Sequence, residues 1–467
     1  MKDNKFITQE FADMIVSTKL DDIEHKVIEK AKYIVLDYIG NLIGSKISDT
    51  AKPSIRLAEK LGGEKECTII GSNKKVSAMN AVLANAMGGY SFDFVDDHND
   101  SVAHPSPATI PVSLNMSEKY NLSGKEFLEA FIVGNEVIAR AGSAYLGDMP
   151  KQSFHPTAVL GTMGATASAS KVMRLNKEEL INAQGIAINS MAGGLYAWNS
   201  YNNNSKRVNA AQPARNGILA SMMAKEGITG PIDVYEGRFG AFNAFSYNKK
   251  WDSTQALRKL GKEWQFSNSS IKPYPACRYA GGNIDACLKL MNENGIKIEN
   301  IESIVFASQK PQIDNIMLPM KDKKNPKNMV EMQHSLPYCG AIALKRKRFN
   351  VEDLNTENLN DPEIKRLMSI TDYKIDKELN EKYPKSYSTS VIVSLNNGLE
   401  YKSVIDYPLG DWRNPVSNEF VKDKFRSLAK EGINNESRLE EIIDFILNIE
   451  NKKCIKDLMR LINYYYN

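Results

Sequence analysis

The chain has 467 residues, more than the roughly 250–300 at which one hydrophobic core stops growing, so two domains and a large buried interior are expected. Its 60 Lys and Arg against 56 Asp and Glu leave a formal charge of +4, and the basic residues are dispersed instead of gathered in arms or blocks, which argues against nucleic acid as a partner. Five cysteines (Cys67, Cys277, Cys287, Cys339 and Cys454), with no C-x-x-C pair, disfavour a disulfide framework and a structural zinc site and fit a reducing cytoplasm.

In chain order, "MKDNKFITQEFADMIVSTKLDDIEHKV" is charged and helical in period and has no uninterrupted apolar stretch of the signal-peptide kind. No later segment reaches ~18 consecutive apolar residues, so the protein is expected to be soluble, unexported and without a membrane partner. "SGKEFLEAFIVGNEVIAR" starts a helix, with Ser123 as N-cap and Glu126 three residues on, and "NKEELINAQGIAI" repeats the device with Asn176 and Glu179. Between them "LGTMGATASASKVM" consists so largely of small residues that, as a helix, it must let its neighbours approach closely. It is expected to be the buried central helix of a bundle.

After about residue 268 the texture changes. "IESIVFAS" reads as a strand, and "SYSTSVIVSL" and "LEYKSVIDYP", joined by "NNG", read as a hairpin with Gly398 in its turn. From about 416, "SNEFVKDKFRSLAKEGI" and "RLEEIIDFILNIENKKCIKDLMRLINYYY" return to helical spacing. The expected architecture is mostly α: a discontinuous helical domain built from residues 1–267 and 401–467, with an α+β domain, residues 268–400, inserted in it.

The stretch "FDFVDDHNDSVAHPSPATIPVSL" concentrates Asp93, Asp96, Asp97, His98, Asp100 and His104 in a chain with five histidines. It lacks the sixth-position Gly and twelfth-position Glu of an EF-hand loop and has no H-E-x-x-H spacing, so no metal is expected. Asp96 and Asp100 read as water-facing loop residues. His104 differs, because the proline after it holds its backbone extended and the chain then enters an apolar segment. A second His-Pro, at His155, opens the small-residue helix, and two such turns suggest imidazoles aimed from loops into one cavity. Lys206 and Arg207 in "NNNSKRVNAAQPARNG", and Lys272 and Arg278 in "SSIKPYPACRYAGGNIDA", are cations beside Gly, Pro and Tyr and not on a helix face, where a site would use them to hold carboxylates.

"SFDFVDDHNDSVAHPS", "FHPTAVLGTMGATASASKVM", "KRVNAAQPARNGILASMMAKEGITGPIDVYEGRFG", "KPYPACRY" and "MQHSLPYCGAIAL" follow one another across nearly the whole chain and resemble the successive signature blocks of the MmgE/PrpD family. That family includes 2-methylcitrate dehydratase, cis-aconitate decarboxylase and iminodisuccinate epimerase. The resemblance implies a large helical domain formed by both chain ends, a smaller α+β lid inserted near 268–400, a homodimer and no cofactor. Carried over by position, it puts active-site residues at Asp93, His104, His155, Lys206, Lys272 and Tyr338; Arg278, Arg207, Asp97 and His98, from the stretches read above, are expected as further substrate contacts.

This chain departs from the pattern at Asp97, where the family commonly has Thr; at Asn209, where a His is often found; and at "ACRYAGG", with Cys277, Gly281 and Gly282, where a lid histidine is often found. The resemblance implies a lyase that removes a proton or CO2 next to a carboxylate or imine of a small di- or tricarboxylate. In that reading His104 and His155 are the proton-transfer pair, Lys272, Lys206 and Arg278 hold carboxylates, and Asp93 and Tyr338 orient or relay. The alternatives are an epimerase that returns the proton to the opposite face, and a non-catalytic carboxylate-binding dimer.

Overall fold

The computed structural model describes residues 6–194 and 203–464. Its larger part is helical. The helices His25–Gly44, Ala78–Gly89, Ser106–Tyr120, Gly124–Ser143, Pro156–Val172 and Val208–Lys225 pack around one another, with Ile7–Ser17, Ala51–Leu61 and Lys177–Ala187 on the outside. Both expected capping boxes form. The Glu126 amide donates to Ser123 Oγ at 3.3 Å and the Ser123 amide to Glu126 Oε2 at 3.0 Å, and Asn176 and Glu179 exchange the same bonds at 3.0 and 2.8 Å.

Pro156–Val172 is the central helix, buried along almost its whole length and touching Ser106–Tyr120, Gly124–Ser143 and Val208–Lys225. Its small side chains set the spacing. A Cβ added at Gly217 would lie 2.5 Å from the Ala165 backbone, and one at Gly134 would lie 2.0 Å from Ser168 Oγ, so neighbouring helices approach to near backbone contact. This close contact fixes the position of His155, the N-cap residue, whose extended backbone (φ −85°, ψ 113°) turns the chain into Pro156.

The C-terminal residues return to the beginning of the chain. Helices Asn418–Ala429, Glu436–Leu447 and Ile455–Ile462 share one apolar core with His25–Gly44, in which Val35, Ile39 and Ile43 meet Phe425, Ile442, Ile446 and Leu458. The expected long helical run here is two helices, separated by the 3-10 turn Ile449–Asn451.

Residues between Ala276 and Leu395 build a separate apolar core around Ile284, Phe306, Met332, Ile342 and Val391. A four-stranded sheet runs through it in the order Thr371–Ile375, Ile301–Ser308, Thr389–Leu395, Glu400–Ile405, the first pair parallel and the others antiparallel. The expected hairpin forms, with Ser394 opposite Glu400 and Gly398 at φ +85° in its turn. Helix Gly281–Glu293 lies on the sheet, and Leu336–Arg346 packs against that helix with Gly340 at the Phe306 ring.

A two-residue ladder, Asp97 opposite Ser270 and His98 opposite Ser269, joins the acidic stretch to the segment leading into "KPYP". Among the described residues no helix is long and apolar enough to cross a membrane.

Candidate active site

Asp93 is the centre of the site. It is fully buried, just beyond the helix Ala78–Gly89, with a left-handed backbone (φ 51°) that Asp tolerates better than most residues. Lys206 Nζ lies 2.5 Å from its Oδ2 and Lys272 Nζ 3.0 Å from its Oδ1. His334 Nε2 is 3.4 Å from Oδ2 and His104 Nε2 3.8 Å from Oδ1. Burial alone would raise the carboxyl, but the Lys206 and Lys272 ammonium groups hold it well below the ordinary carboxylate range. The carboxylate is thus occupied by two ammonium groups, which leaves little attraction for a divalent cation. No group of three or more His, Cys, Asp or Glu among the described residues is arranged to hold a metal.

The lysines have different surroundings. Lys272 gives its three hydrogens to Asp93 O at 2.8 Å, Asp93 Oδ1 at 3.0 Å and Ala276 O at 3.1 Å, so it is committed to protein acceptors. Lys206, on the turn Ser205–Arg207, lines the cavity, donates to Asp93 and His334 (3.2 Å to Nε2), and lies 5.2 Å from the centre of the Tyr90 ring. Burial, seconded by Lys272 and opposed by Asp93, brings its ammonium down to about 8.

The histidines are held neutral. Burial first, then the neighbouring lysines, places His104, His155 and His334 well below the usual 6.5. Tautomers follow from the partners, because a carbonyl oxygen can only accept. His104 Nδ1 donates to Asp96 O at 3.0 Å and His334 Nδ1 to Val330 O at 2.8 Å, which leaves each Nε2 with a lone pair on the Asp93–Lys206 side. The His104 and His155 ring centres are 6.5 Å apart.

These side chains surround a cavity of about 50 Å³, lined by Asp97, His98, His104, His155, Lys206, Arg278 and His334 with Cys277, Tyr279 and Tyr387. Arg278 is anchored by Asp411, whose Oδ2 accepts from Nη2 at 2.9 Å, and has the Tyr387 ring centre 5.3 Å away. A wider groove of about 880 Å³, lined by Lys74, Glu118, Arg438 and Lys456, holds none of these residues and opens to solvent.

Nine of the ten residues singled out from sequence converge here, Asp93, Lys272 and Arg207 as the layer behind the wall. Arg207 is buried and donates from Nη2 to Gln333 Oε1 at 2.9 Å. Tyr338 does not converge. It lies in the apolar core of the sheet region, where its hydroxyl donates to Asp353 O, because position 338 falls on the first turn of the Leu336–Arg346 helix and faces inward. Asp96 is not a water-facing loop residue. It is fully buried, its Oδ1 accepts from the Ser106 amide at 3.2 Å at the start of a helix, and burial pushes its carboxyl up to about 7.

His334, Asp411 and Lys424 have no site role in the reading from sequence. His334 stands in the quoted "MQHSLPYCG" block, four residues before the tyrosine to which the resemblance pointed. Neither "GDWRNP" nor "VKDKF" carries a motif that would identify Asp411 or Lys424.

Family models for the MmgE/PrpD N-terminal and C-terminal domains match residues 9–254 and 274–449. The chain is 27% identical to the cis-aconitate decarboxylase-like protein oryM of Aspergillus oryzae, over 98% of this chain and 97% of that one. It is 25% identical to the cis-aconitate decarboxylase of Aspergillus terreus (98% and 96% covered) and 26% identical to that of Mus musculus (98% and 93%). Mostly helical, with a small sheet region and the two family domains in order along it, the chain belongs to the MmgE/PrpD family.

Proposed function

We propose that the protein is a lyase acting by side-chain acid/base chemistry on a small di- or tricarboxylate. The observation that carries this is the juxtaposition, at one cavity, of a neutral imidazole with a free-facing Nε2, His104, and an ammonium whose pKa has come down to about 8, Lys206. His104, its Nδ1–H fixed by Asp96 O, removes a proton from carbon next to a carboxylate. Lys206 stabilises the enolate-like charge that forms and, with a pKa close to neutral, exchanges a proton with it readily. Asp93 keeps Lys206 charged and, with Lys272, sets its position. Loss of water and loss of CO2 are both compatible with this arrangement, and the names of the relatives favour the second.

The cavity of about 50 Å³ is far below the roughly 300–1,000 Å³ of ordinary ligand pockets, so we propose that residues 268–400, which carry Arg278, His334 and Tyr387, move as a lid to admit substrate. A second reading is epimerisation. Two imidazoles with ring centres 6.5 Å apart could share that task, one neutral and removing a proton from one face, the other carrying a proton and returning it to the opposite face.

The test is incubation in D2O with citrate, 2-methylcitrate, cis-aconitate and aspartate-derived imines, followed by NMR. A new alkene or a terminal methylene supports the lyase, and deuterium with inverted configuration supports the epimerase. His104→Ala should lose ~100- to 10,000-fold. Neither turnover nor deuterium exchange with any of these compounds would leave the acid/base assignment without support.

A further inference from the structure

Tyr90 stands behind the cavity wall and touches both groups to which the proton transfers above are assigned. Lys206 Nζ lies over the face of its ring, 5.2 Å from the centre, and the His104 ring centre is 5.7 Å away at a tilt of 52°. The side chain is wholly buried and is not among the residues that line the cavity. Its place is fixed by the backbone. Tyr90 ends the helix Ala78–Gly89, where its amide donates to Ala86 O at 3.1 Å, and its own carbonyl accepts from the Asp93 amide at 3.3 Å. The carboxylate and the ring that face Lys206 thus sit on one hydrogen-bonded turn.

Lys206 needs a partner of this kind. Burial favours its uncharged amine; Asp93 attracts the ammonium, while Lys272 and Arg207 repel it. Cys277, just before the turn Arg278–Ala280, also faces it but stays a thiol because burial raises its pKa, and His104, His155 and His334 are held neutral. A second carboxylate would support the cation but would also repel an anionic substrate. The face of an aromatic ring attracts an ammonium through its quadrupole and carries no net charge, so it holds the cation without that repulsion.

We propose that Tyr90 is a positioning residue whose ring face keeps the Lys206 ammonium charged and seated against Asp93, and that it acts on the reaction through Lys206 without touching substrate. The inference rests on the acid/base reading for what Lys206 does, and on the geometry alone for the contact between ring and ammonium. A ring that favours the charged form moves the titration midpoint of Lys206 upward. Weakening the ring therefore moves that midpoint, and the alkaline limb of kcat/KM with it, to lower pH. The attraction belongs to the ring and not to the hydroxyl, so Tyr90→Phe keeps it.

The test replaces Tyr90 by phenylalanine and by phenylalanines carrying one, two and three ring fluorines, which drain the ring face of negative charge in steps and hardly change its shape. The Lys206 midpoint is read in the full-length protein from the carbon NMR signal of its Cε, the one that vanishes in Lys206→Arg. Tyr90→Phe should titrate close to the wild type, and the midpoint should fall with each fluorine, by roughly one pH unit over the series, the scale of a desolvated contact between cation and ring. Tyr90→Leu should lie at the bottom of that series, and the alkaline limb of kcat/KM should fall in step. A midpoint that stays constant through the fluorinated rings would show that Tyr90 only fills space and would overturn the proposal. A midpoint that falls while the limb stays would uphold the hold of the ring on the ammonium and overturn the role of Lys206 in the acid/base reading. The titration needs no substrate, and the fluorinated rings fit where phenylalanine fits, so the series decides even where Tyr90→Leu does not fold.

Discussion

Lys206 Nζ lies 2.5 Å from Asp93 Oδ2, and both groups are almost wholly removed from water. Replacing the carboxylate by an amide leaves two ammonium groups, Lys206 and Lys272, facing each other without a counter-charge. Asp93→Asn should therefore cost roughly 3–5 kcal/mol in chemical denaturation, the scale for breaking a buried ion pair on one side. A variant as stable as the wild type would mean that the lysines find other partners.

The pH profile of kcat/KM should be a bell. Its acid limb lies below pH 6.5, because His104 must be neutral and burial beside lysines holds its pKa under that value. Its alkaline limb lies near pH 8, where Lys206 loses its proton. Lys206→Arg, a cation that does not titrate in this range, should remove the alkaline limb from whatever activity survives. An unchanged limb would assign it to another group.

Stability should fall on the acid side of neutrality. His98, His104, His155 and His334 all have folded pKa values below the ordinary 6.5, so below that pH the unfolded chain binds protons that the folded chain refuses. The sign of the linkage then makes unfolding easier as pH drops through 6.5, four imidazoles outweighing the Asp96 carboxyl, which at about 7 works the other way. Thermal melts at pH 5.5 and 7.5 check this, and a higher Tm at the lower pH would contradict it.

Lys424, outside the cavity, should matter to the reaction. Its ammonium donates to Phe94 O at 2.6 Å and Lys272 O at 2.9 Å and pairs with Asp37 Oδ1 at 2.6 Å, so one side chain ties the residue after Asp93 to the backbone of Lys272. Lys424→Met should lower kcat by tenfold or more with little change in KM, because it loosens the Asp93–Lys272 spacing and touches no substrate. Adding Asp37→Asn should restore part of the lost stability by removing the stranded carboxylate. Equal losses in kcat and KM would point instead to the binding surface.

Tyr338→Phe should leave kcat within twofold and cost about 1 kcal/mol of stability, the worth of a hydrogen bond to a backbone carbonyl. A large fall in kcat with folding intact would return this hydroxyl to the reaction.

What could be read from sequence was local. Ser123 with Glu126, Asn176 with Glu179, and Gly398 in "NNG" announce their elements because the partners stand within a few residues of one another. The strand Thr371–Ile375 was not legible, since it lies at the sheet edge with mostly exposed or half-exposed side chains and shows no clear alternation. The site divides in the same way. Surroundings of Gly, Pro and Tyr marked Lys206 and Lys272 as unusual, but that both converge on Asp93, and that Lys272 has no hydrogen to spare, depends on contacts more than a hundred residues apart in sequence. Asp96 was misread because an acidic loop looks the same whether its carboxyl faces water or the amide of Ser106.

The return of Asn418–Ala429 to the first long helix places Phe425 against Gly40 and Leu428 against Gly44. During synthesis the apolar stripe of His25–Gly44 must therefore wait for almost the whole remaining chain before its proper cover is made. Contacts of such high sequence separation slow folding and leave sticky surface exposed meanwhile. A ribosome stalled before residue 418 would release a product lacking both Lys424 and that cover. Such a chain would leave the Gly40 and Gly44 face of the first long helix uncovered and the Lys272 carbonyl without its Lys424 donor.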